Sequence, residues 1–141
     1  MPSFEASTSS IERLSKKTFD EKDLEYAKTE LDGAEGDKIK LKAADTNRPD
    51  LWSEEGIARV IRGIHGSLRG MPKLAAKKGT KKILVDFGLE KVRPFVSGFV
   101  AEGISVTDDM LRSMINMQEN LSENYGRKRK TIAIGIYAAR R

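Results

Sequence analysis

At 141 residues, 33% charged and 38% hydrophobic, the chain can bury one ordinary core or two small ones sharing an interface, which excludes a sprawling multi-domain enzyme. No apolar run approaches the roughly 18 residues needed to cross a bilayer, and the absence of cysteine removes disulfide and thiolate chemistry together. The net charge of +5 is compatible with a nucleic-acid partner, but 26 basic and 21 acidic residues spread it widely, and only Lys73–Lys82 and Arg127–Lys130 concentrate it. The N-terminal MPSFEASTSSIERL has neither the basic nor the apolar region of a secretory leader, so a cytoplasmic location is expected and the Asn120-Leu121-Ser122 sequon reads as chance.

In chain order, Ile11 and Leu14 predict a short amphipathic helix closed by Ser15–Lys17. A second helix is expected from Asp20, capped by Asp20 or Thr18, with Leu24, Ala27, Lys28 and Leu31 on one face and Gly33 and Gly36 as its stop. Lys38–Ala43 alternates lysine and apolar residues at period two, the pattern of a strand with one wet face. Pro49 fixes its own φ and pushes Arg48 out of the helical region, so Asn47, Arg48, Pro49 and Asp50 are expected to form a structural turn. Asp45 and Asp50 flank Arg48, and an internal clamp is the favoured role for its guanidinium. Ser53 then caps a helix, Trp52 and Ile57 are spaced for a hydrophobic staple, and Ile57, Val60, Ile61, Ile64 and Leu68 form its apolar stripe.

Gly70-Met71-Pro72 stops that helix, and the lysine-rich segment that follows reads as a basic connector. Strands are expected at 83–87, 93–100 and 131–137. Between the last two, Thr107 caps a long helix whose stripe of Met110, Leu111, Met114, Ile115, Leu121 and Tyr125 is assigned to a core, with Gly126 at its end.

Chemistry is sparse. His65 is the sole histidine, which removes histidine triads and paired-histidine metal sites. Asp20, Glu21, Asp23, Asp108 and Asp109 lie at helix starts, where the helix dipole alone explains acid. No Walker or dinucleotide glycine pattern is present. The residues therefore describe an α+β protein with no catalytic residue, bound cofactor or metal site of its own.

Two stretches resemble a known family. DTNRPDLWSEEGIARVIRG, through Asn47, Arg48, Pro49, Asp50, Leu51, Ser53, Glu55, Gly56, Ala58, Arg59, Arg62 and Gly63, is similar to the NRPDLLSxEGLARxLRG segment of phenylalanyl-tRNA synthetase β subunits of the archaeal and eukaryotic type. The block from Arg93-Pro94-Phe95 through Gln118, Glu119, Leu121, Gly126, Arg127, Arg129, Ala133, Ile134 and Gly135 resembles that family's next segment. The resemblance covers essentially the whole chain. It implies a small N-terminal helix/strand domain over 1–75, a basic connector at 76–82, and over 83–141 the first strands and helix of a mixed α/β editing-type domain. Such a piece is a scaffold for ATP- and Mg-dependent attachment of phenylalanine to tRNA(Phe) by a heterotetramer of two α and two β subunits. The synthetic site lies on the α subunit, and the pocket that hydrolyses mischarged Tyr-tRNA lies further along the β subunit.

Candidate contacts to RNA or to a partner are Arg59, Arg62, Arg127, Lys128, Arg129 and Lys130. The family's acidic pair after this block is replaced here by Ala138-Ala139-Arg140-Arg141, and the histidine of its LHxxxGR pattern by Ser122 or Asn124. The chain is accordingly expected to be part of a longer subunit. A free-standing basic tRNA-binding or regulatory module is the alternative reading.

Overall fold

The computed structural model describes residues 1–71 and 73–138; Pro72, expected to help stop a helix, and Ala139, Arg140 and Arg141 of the departing C-terminal stretch lie outside the described residues. The described chain forms two compact units. Met1–Gly70 and Val106–Tyr137 make up the first, and Met71–Ser105 with Ala138 the second.

The first unit is built on a three-stranded antiparallel sheet, β1 (Ser3–Ser7), β2 (Thr29–Glu35) and β3 (Lys38–Ala43), in the order β1-β3-β2. Strand β3 forms as its alternation predicts. Ile39, Leu41 and Ala43 point inward and are buried, while Lys38 and Lys40 face water. Its neighbours supply matching inward residues: Phe4 opposes Leu41 and Ala6 opposes Ile39 on one side, and Leu31 opposes Leu41 on the other. Helices α1 (Thr8–Ser15) and α3 (Glu54–Ile64) contribute Ile11, Ile57, Ala58 and Ile61 to the same cluster.

The expected helix from Asp20 to Leu31 is a correction. Only α2 (Asp23–Tyr26) is helical; Lys28 takes a left-handed φ of 47°, and the chain then enters β2. Leu24 and Ala27 are still buried, as the helical spacing implied, but Leu31 is claimed by the ladder with β3. A hydrogen-bonded strand register outweighs the helix propensity of a segment that carries Gly33 and approaches Gly36. Asp20 does not cap the helix; its carboxylate accepts from the Lys22 amide at 3.0 Å, and Lys22 is the uncapped N-cap.

In the same unit, α4 (Asp108–Asn120) starts at Thr107, whose hydroxyl accepts from the Met110 amide at 3.2 Å. It continues as a wider turn over Leu121–Tyr125 and ends at Gly126. The helix packs against β1, with Asn120 Nδ2 donating to the Ser3 carbonyl at 3.4 Å, and touches the start of α3 through Ser113 Oγ, which donates to the Glu55 carboxylate. Its expected core stripe is only partly realised: Leu121 packs against the central cluster, whereas Met110, Leu111 and Ile115 are 38%, 40% and 42% exposed.

The strands expected at 83–87, 93–100 and 131–137 are absent among the described residues, where the one regular element is a 3-10 turn at Phe87–Leu89. Isolated β-prone segments cannot satisfy their backbone groups without a neighbour in register. Phe87, Phe95 and Phe99 are left more than nine-tenths exposed. Amide exchange should show this contrast directly. Ile39, Leu41 and Ile61 are expected to be the slowest amides and those of 95–100 to exchange with little protection; equal protection of both sets would contradict the structure.

Candidate functional site

The corner between β3 and α3 is set by local chemistry. Pro49 opens a 3-10 turn over Pro49–Leu51, and Arg48 before it adopts φ −118° and ψ 68°, outside the helical region as a residue preceding proline must. Arg48 Nε and Nη2 donate to the two oxygens of Asp50 at 2.9 and 2.8 Å, a bidentate pair within the turn. That contact raises the Arg48 pKa and lowers that of Asp50, with burial opposing both. Asp45 pairs with Lys28 Nζ at 3.4 Å, and its carbonyl accepts from Trp52 Nε1 at 3.4 Å. Leu51 and Trp52 are both buried, so the turn is bolted to the core by the two apolar residues at its end.

Ser53 then caps α3, its hydroxyl accepting from the Gly56 amide at 3.3 Å. Gly56 is where the two elements touch: a Cβ there would overlap the Asp50 carbonyl oxygen and sit 3.3 Å from Leu51 Cα. The glycine lets the helix start pass under the proline turn.

A second knot, not anticipated from sequence, joins the β2–β3 hairpin to the start of α1. Asp37 at the hairpin tip accepts from Ser7 Oγ (2.6 Å), Thr8 Oγ1 (2.7 Å), the Ser9 amide (2.8 Å) and Ser9 Oγ (2.9 Å). These donors, Ser7 first, hold its carboxyl well below the usual carboxylate range. The Ser7 amide in turn donates to Glu54 Oε2 at 3.1 Å, and burial pushes the Glu54 carboxyl up. The two acids act in opposite senses. The contribution of Asp37 is complete above its ordinary value of 3.8 and is lost as pH falls toward its lower folded value. The raised carboxyl of Glu54 favours the folded state at low pH and loses that advantage as pH rises through its folded value. The difference in melting temperature between wild type and Asp37→Asn should therefore be full at pH 6 and narrow progressively below 3.8; a constant difference would show that Asp37 does not titrate through these bonds.

Arg59 on α3 is exposed, and its charge contributes to the lowered Asp50 pKa. Arg62 is half-buried; its Nε is buried and has no hydrogen-bond partner among the described residues, while its carbonyl accepts from the Ser67 and Leu68 amides. His65 Nε2 lies 3.0 Å from Asp23 Oδ2, joining the end of α3 to α2. Arg127, Lys128, Arg129 and Lys130 follow Gly126 on an exposed turn. The structure thus places Arg59 and Arg62 on one helix and the basic turn on another segment of the same unit.

No family model matches the chain. It is 43% identical over 145 residues to the phenylalanine–tRNA ligase beta subunit of Thermococcus onnurineus (strain NA1), covering 97% of this chain and 25% of that protein. It is 44% identical over 121 residues to the beta subunit of Borreliella burgdorferi (strain ZS7), covering 81% of this chain and 21% of that protein. A crystal structure of an N-terminal fragment of the phenylalanyl-tRNA synthetase beta-subunit from Pyrococcus horikoshii matches with a TM-score of 0.79 at 40% identity, over 91% of this chain and 39% of that one. The chain belongs to the phenylalanyl-tRNA synthetase β-subunit family.

It spans about a quarter of the length of the curated relatives it matches. The synthetase-like stretch Asn47–Gly63 therefore has a structural account at most positions: a proline-set turn, a two-point arginine clamp, a capped helix and a glycine contact. Among the described residues no three His, Cys, Asp or Glu side chains gather into a metal-binding group, and no helix is long and apolar enough to cross a membrane. Sequence reasoning missed Asp37 and the contact at Gly56. The Ser7-Thr8-Ser9 run hinted at a cap, but the acid that joins it lies 28 to 30 residues away.

Proposed function

We propose that this chain acts as the N-terminal scaffold of a phenylalanyl-tRNA synthetase β subunit, supporting ATP-dependent attachment of phenylalanine to tRNA(Phe) by a larger cytoplasmic assembly of two α and two β subunits. The observation that carries this reading is 43% identity along 97% of the chain to proteins named as ligase β subunits. The division by motif is an N-terminal domain over 1–75, a basic connector over 76–82 and the start of the editing domain over 83–141. These boundaries follow the family blocks rather than the packing, because Val106–Tyr137 packs with Met1–Gly70 in this chain.

Asn47, Arg48, Pro49 and Asp50 serve as the structural turn, while Arg59, Arg62, Arg127, Lys128, Arg129 and Lys130 offer surfaces to the α subunit or to tRNA. ATP and Mg supply adenylate chemistry to the whole enzyme. Among the described residues no acidic cluster is assembled to hold the ion. Assayed alone, the chain is expected to turn over neither phenylalanylation of tRNA(Phe) nor hydrolysis of Tyr-tRNA(Phe); appreciable turnover in either assay would overturn the scaffold reading.

A further inference from the structure

The turn after α4 has a backbone that its sequence does not advertise. Arg127, Lys128 and Arg129 take φ values of 50°, 56° and 63°, three successive left-handed residues with no glycine among them. Side chains bearing a Cβ adopt this region singly and at a cost, so a run of three must be held by its surroundings.

The surroundings are specific. The amides of Arg127, Lys128 and Arg129 donate to the carbonyls of Asn124, Glu123 and Ser122 at 3.2, 2.9 and 2.9 Å, folding the turn back on the last coil of the helix. Thr131 N closes it on the Gly126 carbonyl at 2.9 Å. Gly126 is buried, and a Cβ there would meet the carbonyls of Ser122 and Ile132, so the pivot admits no side chain. Arg129 bridges Glu119 and Glu123 on the helix it has folded against. Its charge is spent inside the turn, where it offsets one of the two negative charges of Glu119 and Glu123. Arg127 and Lys128 remain exposed at the tip on a backbone that needs no further ordering.

We infer that the turn Gly126–Lys130 is a contact for the RNA sugar–phosphate backbone, in which Arg127 and Lys128 meet phosphates and Arg129 is the positioning residue that holds the turn. This deepens the scaffold reading proposed above by committing one of its candidate surfaces to RNA. An RNA backbone suits it better than an acidic protein face: Arg127 and Lys128 are exposed, whereas a protein hot spot is anchored in a desolvated pocket, and phosphate contacts gain from counterion release at exposed cations. Tyr125, 57% exposed beside the pivot, adds a ring on which an unpaired base can stack. The lysine-rich stretch before Ile83 carries comparable charge without this fixed backbone, and so provides the control.

The test is fluorescence anisotropy of the full 141-residue chain with a labelled tRNA(Phe) transcript across a salt series, using wild type, Arg127→Ala/Lys128→Ala and Lys77→Ala/Lys78→Ala. Each pair removes two charges. The turn pair should weaken binding on the order of tenfold near 0.1 M salt and flatten the plot of log K against log salt by about 1.4–1.8, the loss of two phosphate contacts. The connector pair should shift the slope by less than half as much. Equal effects of the two pairs would show that net charge alone matters, and an unchanged slope in the turn pair would show that it touches no phosphate; either overturns the inference. Competition by polyglutamate equal to that by RNA at matched charge would assign the turn to an acidic protein partner and also overturn it. Circular dichroism of each variant establishes that the fold is retained, and Arg127→Lys/Lys128→Arg, which keeps both charges, should bind as wild type. The scaffold reading fails on turnover and this inference on the salt slope, so the two are separable.

Discussion

Replacing Trp52 with alanine should lower stability by about 3–5 kcal/mol, the range for emptying a large aromatic site in a core. Trp52 is fully buried, and it joins the proline turn, the cap of α3 and the central cluster. Its loss removes packing on all three and leaves the Asp45 carbonyl without its indole donor. Against a total stability of roughly 5–15 kcal/mol for an ordinary domain, that change approaches global unfolding. Trp52→Phe, which retains most of the apolar volume, is therefore the companion variant, with a loss of about 1–2 kcal/mol expected. Urea denaturation followed by circular dichroism measures both without relying on the fluorescence of the chain's one tryptophan. A loss below about 1 kcal/mol for Trp52→Ala would show that the turn is not seated on this side chain.

Gly56→Ala should destabilise by about 3 kcal/mol, although alanine is ordinarily the better helix former by about 1 kcal/mol. The sign reverses because the new Cβ would occupy the place of the Asp50 carbonyl oxygen, and that oxygen belongs to backbone pinned by Pro49 and by the buried Leu51. Gly63 lies in the same helix, and a Cβ there would meet nothing closer than the Leu68 carbonyl at 3.6 Å, an ordinary contact. Gly63→Ala should accordingly stabilise by about 0.5–1 kcal/mol. Two glycine-to-alanine changes in one helix with opposite signs isolate the close approach from helix propensity. A gain in stability for Gly56→Ala would remove the contact as the reason for glycine at this position.

The elements that could be read from sequence are those whose cause is local. Strand β3 follows from an alternation that is complete within six residues, and α3 from a cap, an acidic first turn and an apolar stripe contiguous with them. The clamp at Arg48 was legible for the same reason, since its partner is two residues away. Strand β2 was not: Leu24, Ala27 and Leu31 share a helical face on paper, and only pairing with β3 makes Leu31 a strand residue. Strand β1 was passed over as a leading segment. Its Phe4 and Ala6 acquire meaning only against Leu41 and Ile39, more than thirty residues along the chain.

The apolar segments at 83–87, 93–100 and 131–137 show the converse error. Their β-branched and aromatic composition reads as strand, but composition states a preference for a pleated neighbour and does not provide one. For the same reason the methionine and leucine stripe of α4 remains more than a third exposed at Met110 and Leu111.

The sequence by itself determined the family, through residue identities in two long ordered blocks, and with it the expectation of a scaffold without a catalytic set. It also determined β3, the capped start of α3 and the clamped proline corner, because each rests on interactions spanning a few residues. Tertiary structure alone decided that β2 is a strand, that Asp37 ties the hairpin to α1, that Gly56 admits no side chain, and that Arg127, Lys128 and Arg129 run left-handed. Strand β2 needs the ladder of β3, Asp37 needs donors 28 to 30 residues away, and Gly56 and Arg127–Arg129 answer to carbonyls three to seven residues back that a folded turn brings into contact; local propensity carries no information about what the fold will bring alongside.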